Sequence, residues 1–278
     1  MNSQFESVAE LPKEAKQPFY DLMLVLADSK HLLGLRYGEW LGAPAIEASI
    51  SAVSMAQDEF GHARLFYGII TEFVKHGSKA REEIAKQYRN IETLDREFES
   101  WMDFIAANLL VDLALTIQIE AFQDSSYLPM RRMIGKISQE EEFHLQHAHG
   151  WLLRLAQESE KSRLGLEKSI KKIWIPVLHW LGNPESRSEK ILLEMGLQKL
   201  DSEALRNRFV EVIGPLAEEA GLDLPISGDA VTGEWLLATE LSWKGWDEAF
   251  RRLSKTGPDA ATFAQIDCFH THSYPVGS

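Results

Sequence analysis

A single cysteine, Cys268, is the only thiol in this chain of 278 residues. That excludes a disulfide framework within the chain, and any zinc or iron–sulfur site built from its own thiolates. There is no basic segment followed by a short apolar one at the start, and no run of about 18 apolar residues, so neither export nor a membrane span is expected. The expected location is the cytoplasm. Positive charge is scarce too: 29 Lys and Arg stand against 42 Asp and Glu, a net charge of -13. A nucleic-acid binder needs a basic face to neutralise phosphates, so that class is set aside.

What is present is an ordinary globular composition, 45% apolar and 26% charged, enough for one large core with at most a small appendage. Leu22, Leu26, Leu33 and Tyr37 recur at helical spacing and predict a first helix from Pro18 to about Trp40. Gly42-Ala43-Pro44 marks a turn, and a second helix runs from Ala45 to Lys75. The charged stretch 78–96 is a solvated link. A third helix covers Phe98 to Asp124, Ser125 to Pro129 break it, and a fourth runs from Met130 to Gln157.

Two hairpins of long helices predict an all-α, ferritin-like four-helix bundle over 1–160. Residues 161–278 are expected to add C-terminal helices to the same domain: a short one kinked at Pro176, then helices near 187–200, 201–221 and 229–255, and an extended tail from Gly257. Five tryptophans in that half, Trp174, Trp180, Trp235, Trp243 and Trp246, are read as packing or interface residues. Cys268, His270 and His272 are read as tail residues without a metal role.

The chemistry lies in a motif that occurs twice. Glu59 and His62 form one Glu-x-x-His, Glu141 and His144 the other. Residues three apart share a helix face, so each motif aims a carboxylate and an imidazole together. Paired motifs of this kind, each joined by a carboxylate from a further helix, build the interior sites of di-iron and di-manganese bundles. Residues equidistant from a hairpin turn sit at one level, which selects Asp28 for the first hairpin and Asp112 for the second. Asp112 lies within Leu109-Leu110-Val111-Asp112-Leu113-Ala114-Leu115, where burying a lone carboxylate is costly. For Asp28 the alternative is an ion pair with Lys30, with Glu39 as the fallback ligand.

The metal set is therefore Asp28, Glu59, His62, Asp112, Glu141 and His144. Such oxygen and nitrogen donors favour two iron ions, with manganese possible. Asp58 and Glu140 each precede a motif glutamate and are expected to bond the outer nitrogen of the opposite histidine, Asp58 with His144 and Glu140 with His62.

Gln57-Asp58-Glu59-Phe60-Gly61-His62-Ala63, Val111-Asp112, Ser125-Ser126-Tyr127 and Glu140-Glu141-Glu142-Phe143-His144 together resemble the catalytic subunit of the bacterial phenylacetyl-CoA ring epoxidase family, a multicomponent di-iron oxygenase. Gly38-Glu39-Trp40, Gly42 and Ala63-Arg64 look more like its structural sister subunit, which lacks metal ligands. The resemblance covers about residues 20–157. It carries over Glu59, His62, Asp112, Glu141 and His144, while the family's first-helix glutamate aligns on or near Lys30 and its lysine one turn before the motif falls on Met55.

The resemblance implies an oxygenase subunit that works on an aromatic acid or acyl-CoA thioester, fed by a reductase, within a homo- or hetero-oligomer. The alternatives are a metal-poor structural subunit of such a complex, and a di-metal oxidase without an organic substrate. For CoA phosphates the candidate cations are Arg131-Arg132, and Lys168 with Lys171-Lys172.

Overall fold

Helix α1 (Lys13–Gly38) turns at residues 39–45 into α2 (Ile46–Lys75), and the two pack along their whole length as the first hairpin. The computed structural model describes residues 4–77, 87–229 and 231–271. Part of the charged link, 78–86, lies outside them. Contact between α1 and α2 is close because residue 34 is glycine: a Cβ there would lie 3.1 Å from the Ala56 carbonyl oxygen, from Glu59 Cβ and from the Phe60 ring. The level of Glu59 in the core thus depends on a missing side chain in α1.

The second hairpin begins with α3 (Trp101–Ala107), capped by the Ser100 hydroxyl, which accepts from the Asp103 N–H. It continues through one π turn, Asn108–Asp112, into α4 (Leu113–Glu120), and returns as α5 (Leu128–Glu158). By length and composition, Trp101–Glu120 is apolar enough to cross a membrane, although no unbroken apolar run in the sequence suggests it. Its most apolar window is 83% buried inside the protein, so the stretch serves as the central helix of the core. Among the described residues the architecture is all-α with one two-stranded sheet.

Beyond Ser159, α6 (Glu160–Trp180) is longer than a short kinked helix, keeping Pro176 within it, and α7 (Arg187–Glu194) and α8 (Ser202–Glu219) follow. Among the described residues of 229–255 the expected helix does not form. Instead β1 (Ile226–Gly228) pairs antiparallel with β2 (Trp235–Leu237), Ile226 opposite Leu237. The intervening turn is set by Asp229, whose Oδ1 accepts from the N–H groups of Val231 and Thr232, and by Gly233 at φ 74°. Trp235 then lies flat on Gly214 of α8, where a Cβ would meet the indole at 2.1 Å.

The expected extended tail is in fact helical, α9 (Ala260–Thr271), tied down where Arg36 donates to Thr262 Oγ1 at 2.5 Å and to the Leu94 carbonyl. His272 and the side chains of Cys268 and His270 lie outside the described residues. A single hydrophobic cluster runs from Phe5 to Ile266 and takes in Trp174 and Trp180.

Candidate metal centre

At mid-height in the bundle, α1, α2, the π turn and α5 each turn a charged side chain inward, and the result is a fully buried knot of ions. Lys30 Nζ donates to Glu59 Oε1 at 2.9 Å, Asp112 Oδ1 at 2.9 Å and Glu141 Oε1 at 2.5 Å. Neither Lys30 nor Glu59 has any exposure to solvent. An uncompensated charge in such a place would be prohibitive, and mutual pairing is what permits all four to be buried.

The second motif faces the same carboxylates from the other side. His144 Nδ1 lies 3.0 Å from Asp112 Oδ2, 3.3 Å from Glu59 Oε1 and 3.5 Å from Glu141 Oε2. Its Nε2 is 3.3 Å from Asp58 Oδ2, and His62 Nε2 is 2.8 Å from Glu140 Oε2. Each imidazole is therefore bonded at its outer nitrogen to an acid of the opposite hairpin, leaving Nδ1 turned inward. His62 Nδ1 lies 3.1 Å from Glu141 Oε1 without a well-directed hydrogen bond, and Glu59 Oε2 is buried with no partner among the described residues.

Several neighbours orient the carboxylates. The Tyr37 hydroxyl donates to Asp112 Oδ2 at 3.0 Å and itself accepts from the Asn108 amide at 3.1 Å. Thr116 donates to Glu141 Oε2 at 3.0 Å. Asn108, Asp112 and Thr116 are spaced four apart on one face, and the π turn carries the first two, a helix irregularity common at functional sites. Tyr37 lies two turns beyond Lys30 on α1, and that seven-residue spacing was the signal available for it in the sequence.

The electrostatics follow from burial and proximity. Burial, with Asp112 alongside, pushes the Glu59 carboxyl up to about 7 in spite of Lys30. Burial acts the same way on Asp112, but the Lys30 ammonium and His144 outweigh it and hold Asp112 well below the usual carboxylate range. For His144 burial opposes charging, yet Asp112 and the hydrogen bonds push it up to about 12. Burial also opposes charging of Lys30, and Asp112, Glu141 and Glu59 overcome it, so the lysine stays cationic.

Of the residues singled out from sequence, Glu59, Asp112, Glu141 and His144 offer ligand atoms all within 4.8 Å of one another, a buried group that could hold a metal ion. His62 stands beside it. Asp28 is not brought in: its Oδ1 accepts from the Tyr67 hydroxyl and its Oδ2 from the Arg89 N–H, both at 2.8 Å. The level along the helix was right to within a turn, but residues 28 and 30 are about 200° apart around the axis, and the lysine faces the centre. Lys30 pairs with the three other acids rather than with Asp28. Glu39 is also elsewhere, accepting from Arg36 Nη1 at 2.6 Å.

A cavity of about 350 Å³ opens onto this group between α4, α5 and α8. Asp112, Glu141 and His144 line its inner end, Leu113, Ile117, Leu145 and Val212 its walls, and Arg208, paired with Glu120 at 2.6 Å, also borders it. Among the basic residues considered for CoA, Arg132 pairs with Glu6, and Lys171 with Glu167 and Asp223.

A family model described as phenylacetic acid catabolic protein matches residues 1–236. The chain is 27% identical over 224 residues to one of the subunits of 1,2-phenylacetyl-CoA epoxidase from Escherichia coli (strain K12), an alignment spanning 76% of this chain and 70% of that protein. It is 26% identical over 157 residues to a second, different subunit of the same epoxidase in that organism, spanning 54% of this chain and 62% of the relative.

Proposed function

The chain belongs to the phenylacetic acid catabolic protein family, and from that premise we propose that it is a metal-carrying subunit of an oxygenase of the phenylacetyl-CoA epoxidase type. Its substrate is an aromatic acid or the CoA thioester of one, its electrons come from a reductase, and it works within a complex of several subunits. The observation that supports this reading is the apolar cavity that ends on Asp112, Glu141 and His144. An aromatic ring seated between Leu113, Ile117, Leu145 and Val212 would lie beside the buried oxygen and nitrogen donors.

Glu59, Asp112, Glu141 and His144 are the residues that would hold the metal, with His62 adjacent. Iron bound there supplies the activation of O2, chemistry that amino-acid side chains do not provide. The protein's own contribution is positional. Tyr37 and Asn108 fix the Asp112 carboxylate, Thr116 fixes Glu141, and Asp58 holds the His144 ring with Nδ1 inward. Leu113, Ile117, Leu145 and Val212 give the cavity apolar surface beside these donors, and Glu120, Glu142 and Arg208 border it with charge.

Lys30 supports a second reading, a metal-poor subunit that serves assembly, because its ammonium already neutralises part of the carboxylate charge. Purified protein loaded with Fe(II) and supplied with a reductase, reduced nicotinamide cofactor and O2 separates the two. Incorporation of one oxygen atom into phenylacetyl-CoA, seen as a mass gain of the thioester, is the expected result. No product at any iron loading, with product restored only by adding a second, iron-bearing subunit, would replace the first reading by the second.

A further inference from the structure

The two faces of the carboxylate cluster are not equivalent. Toward α1, one oxygen each of Glu59, Asp112 and Glu141 is taken by Lys30 Nζ, and His62 Nδ1 approaches that same Glu141 oxygen. On the other face stand Asp112 Oδ2 and Glu141 Oε2, with His144 Nδ1 within 3.5 Å of both. Glu59 Oε2, fully buried, has no hydrogen-bond partner among the described residues. The four residues whose ligand atoms lie within 4.8 Å of one another are Glu59, Asp112, Glu141 and His144, without His62.

We propose that this chain binds one divalent metal ion, on Asp112, Glu141, His144 and Glu59, and that the Lys30 ammonium permanently occupies the place of a second ion on the His62 side. Charge supports the division. Once His144 gives up its proton to ligate, three carboxylates against one ammonium leave two negative charges, which a single divalent cation cancels and a pair would exceed. Access supports it independently: the cavity reaches Asp112, Glu141 and His144, whereas Lys30, Glu59 and His62 are absent from its lining. Among the described residues, this cavity leads to the cluster on the His144 side. The donors are carboxylate and imidazole, which suit Fe(II) or Mn(II) over soft metals. The inference rests on reading the group as a metal site but not on any oxygenase activity.

The test is metal stoichiometry. Full-length protein is incubated anaerobically with excess Fe(II), and separately Mn(II), freed of unbound ion and assayed by elemental analysis against protein concentration. One ion per chain is expected, and Mn(II) should give the six-line paramagnetic resonance of an isolated ion rather than the signal of a coupled pair. His144→Ala should fall to near zero, while His62→Ala should retain about one. Lys30→Glu, which supplies a carboxylate in place of the ammonium, should bind two and show the coupled signal. Two ions in the unaltered chain would overturn the proposal and leave the metal reading standing. No ion in the unaltered chain would overturn both. If Lys30→Glu fails to fold, the contrast between His144→Ala and His62→Ala decides alone, and equal loss in both would reject the asymmetry.

Discussion

Lys30 Nζ and Glu141 Oε1 lie 2.5 Å apart although 111 residues separate them in the chain, and this contact joins the first helix of one hairpin to the last helix of the other. The lysine is the only cation from a Lys or Arg that touches the carboxylate cluster among the described residues.

Replacing Lys30 by Met removes that charge and keeps most of the volume. Three carboxylates are then left facing one another in the core, and a loss on the order of 3–5 kcal/mol is expected. Divalent metal should return part of it, since an ion that binds only the folded state stabilises by mass action. Thermal unfolding of Lys30→Met with and without Mn(II) measures both effects. A melting temperature that is unchanged without metal would mean that Lys30 does not neutralise the cluster.

Asp28→Asn and Glu39→Ala should leave metal content as it is, because neither carboxylate is in the group. Asp28→Asn should still cost stability, about 1–3 kcal/mol, through the hydrogen bonds from Tyr67 and Arg89. Loss of bound iron in Asp28→Asn, at unchanged helix content, would require a different rotation of α1.

Gly34→Ala should destabilise the protein by about 1–3 kcal/mol, the usual cost of overpacking. The added methyl meets the Ala56 carbonyl oxygen and Glu59 Cβ at 3.1 Å, so α1 has to move off α2. Urea unfolding compares it with Gly38→Ala, where the nearest atom lies 3.9 Å away and a much smaller effect is expected.

Acid sensitivity should trace in part to His147. Its Nδ1 is 2.8 Å from Asn108 Oδ1, its Nε2 is buried without a partner among the described residues, and burial, reinforced by the charge of His144, pushes it down to about 4. The folded value lies below the unfolded value near 6.5, so the unfolded chain binds the proton first. The group costs nothing above pH 6.5, and stability falls as the pH drops from there toward 4, by up to about 3 kcal/mol. Denaturant midpoints across that window should fall less steeply for His147→Gln than for the parent chain. Parallel curves for the two would show that His147 carries no part of the acid response.

The sequence by itself determined the two Glu-x-x-His helices, because a three-residue spacing fixes a shared face whatever the surroundings. It also determined the burial of Asp112, since its apolar flanks leave no solvated face, whereas the bonds from Asp58 to His144 and from Glu140 to His62 cross between hairpins and depend on the tertiary structure. Tertiary structure alone decided between Asp28 and Lys30. They differ by only about 3 Å in height, well within the error of counting from a turn, and by more than half a revolution around the axis. That rotation is set by the close approach of α1 to α2 at Gly34. The same holds for the hairpin at residues 226–237: a helix is expected over 229–255, but the described chain turns at Gly233 and sets the Trp235 indole against Gly214 of α8. Packing between distant segments chose the conformation there, and no local pattern encodes it.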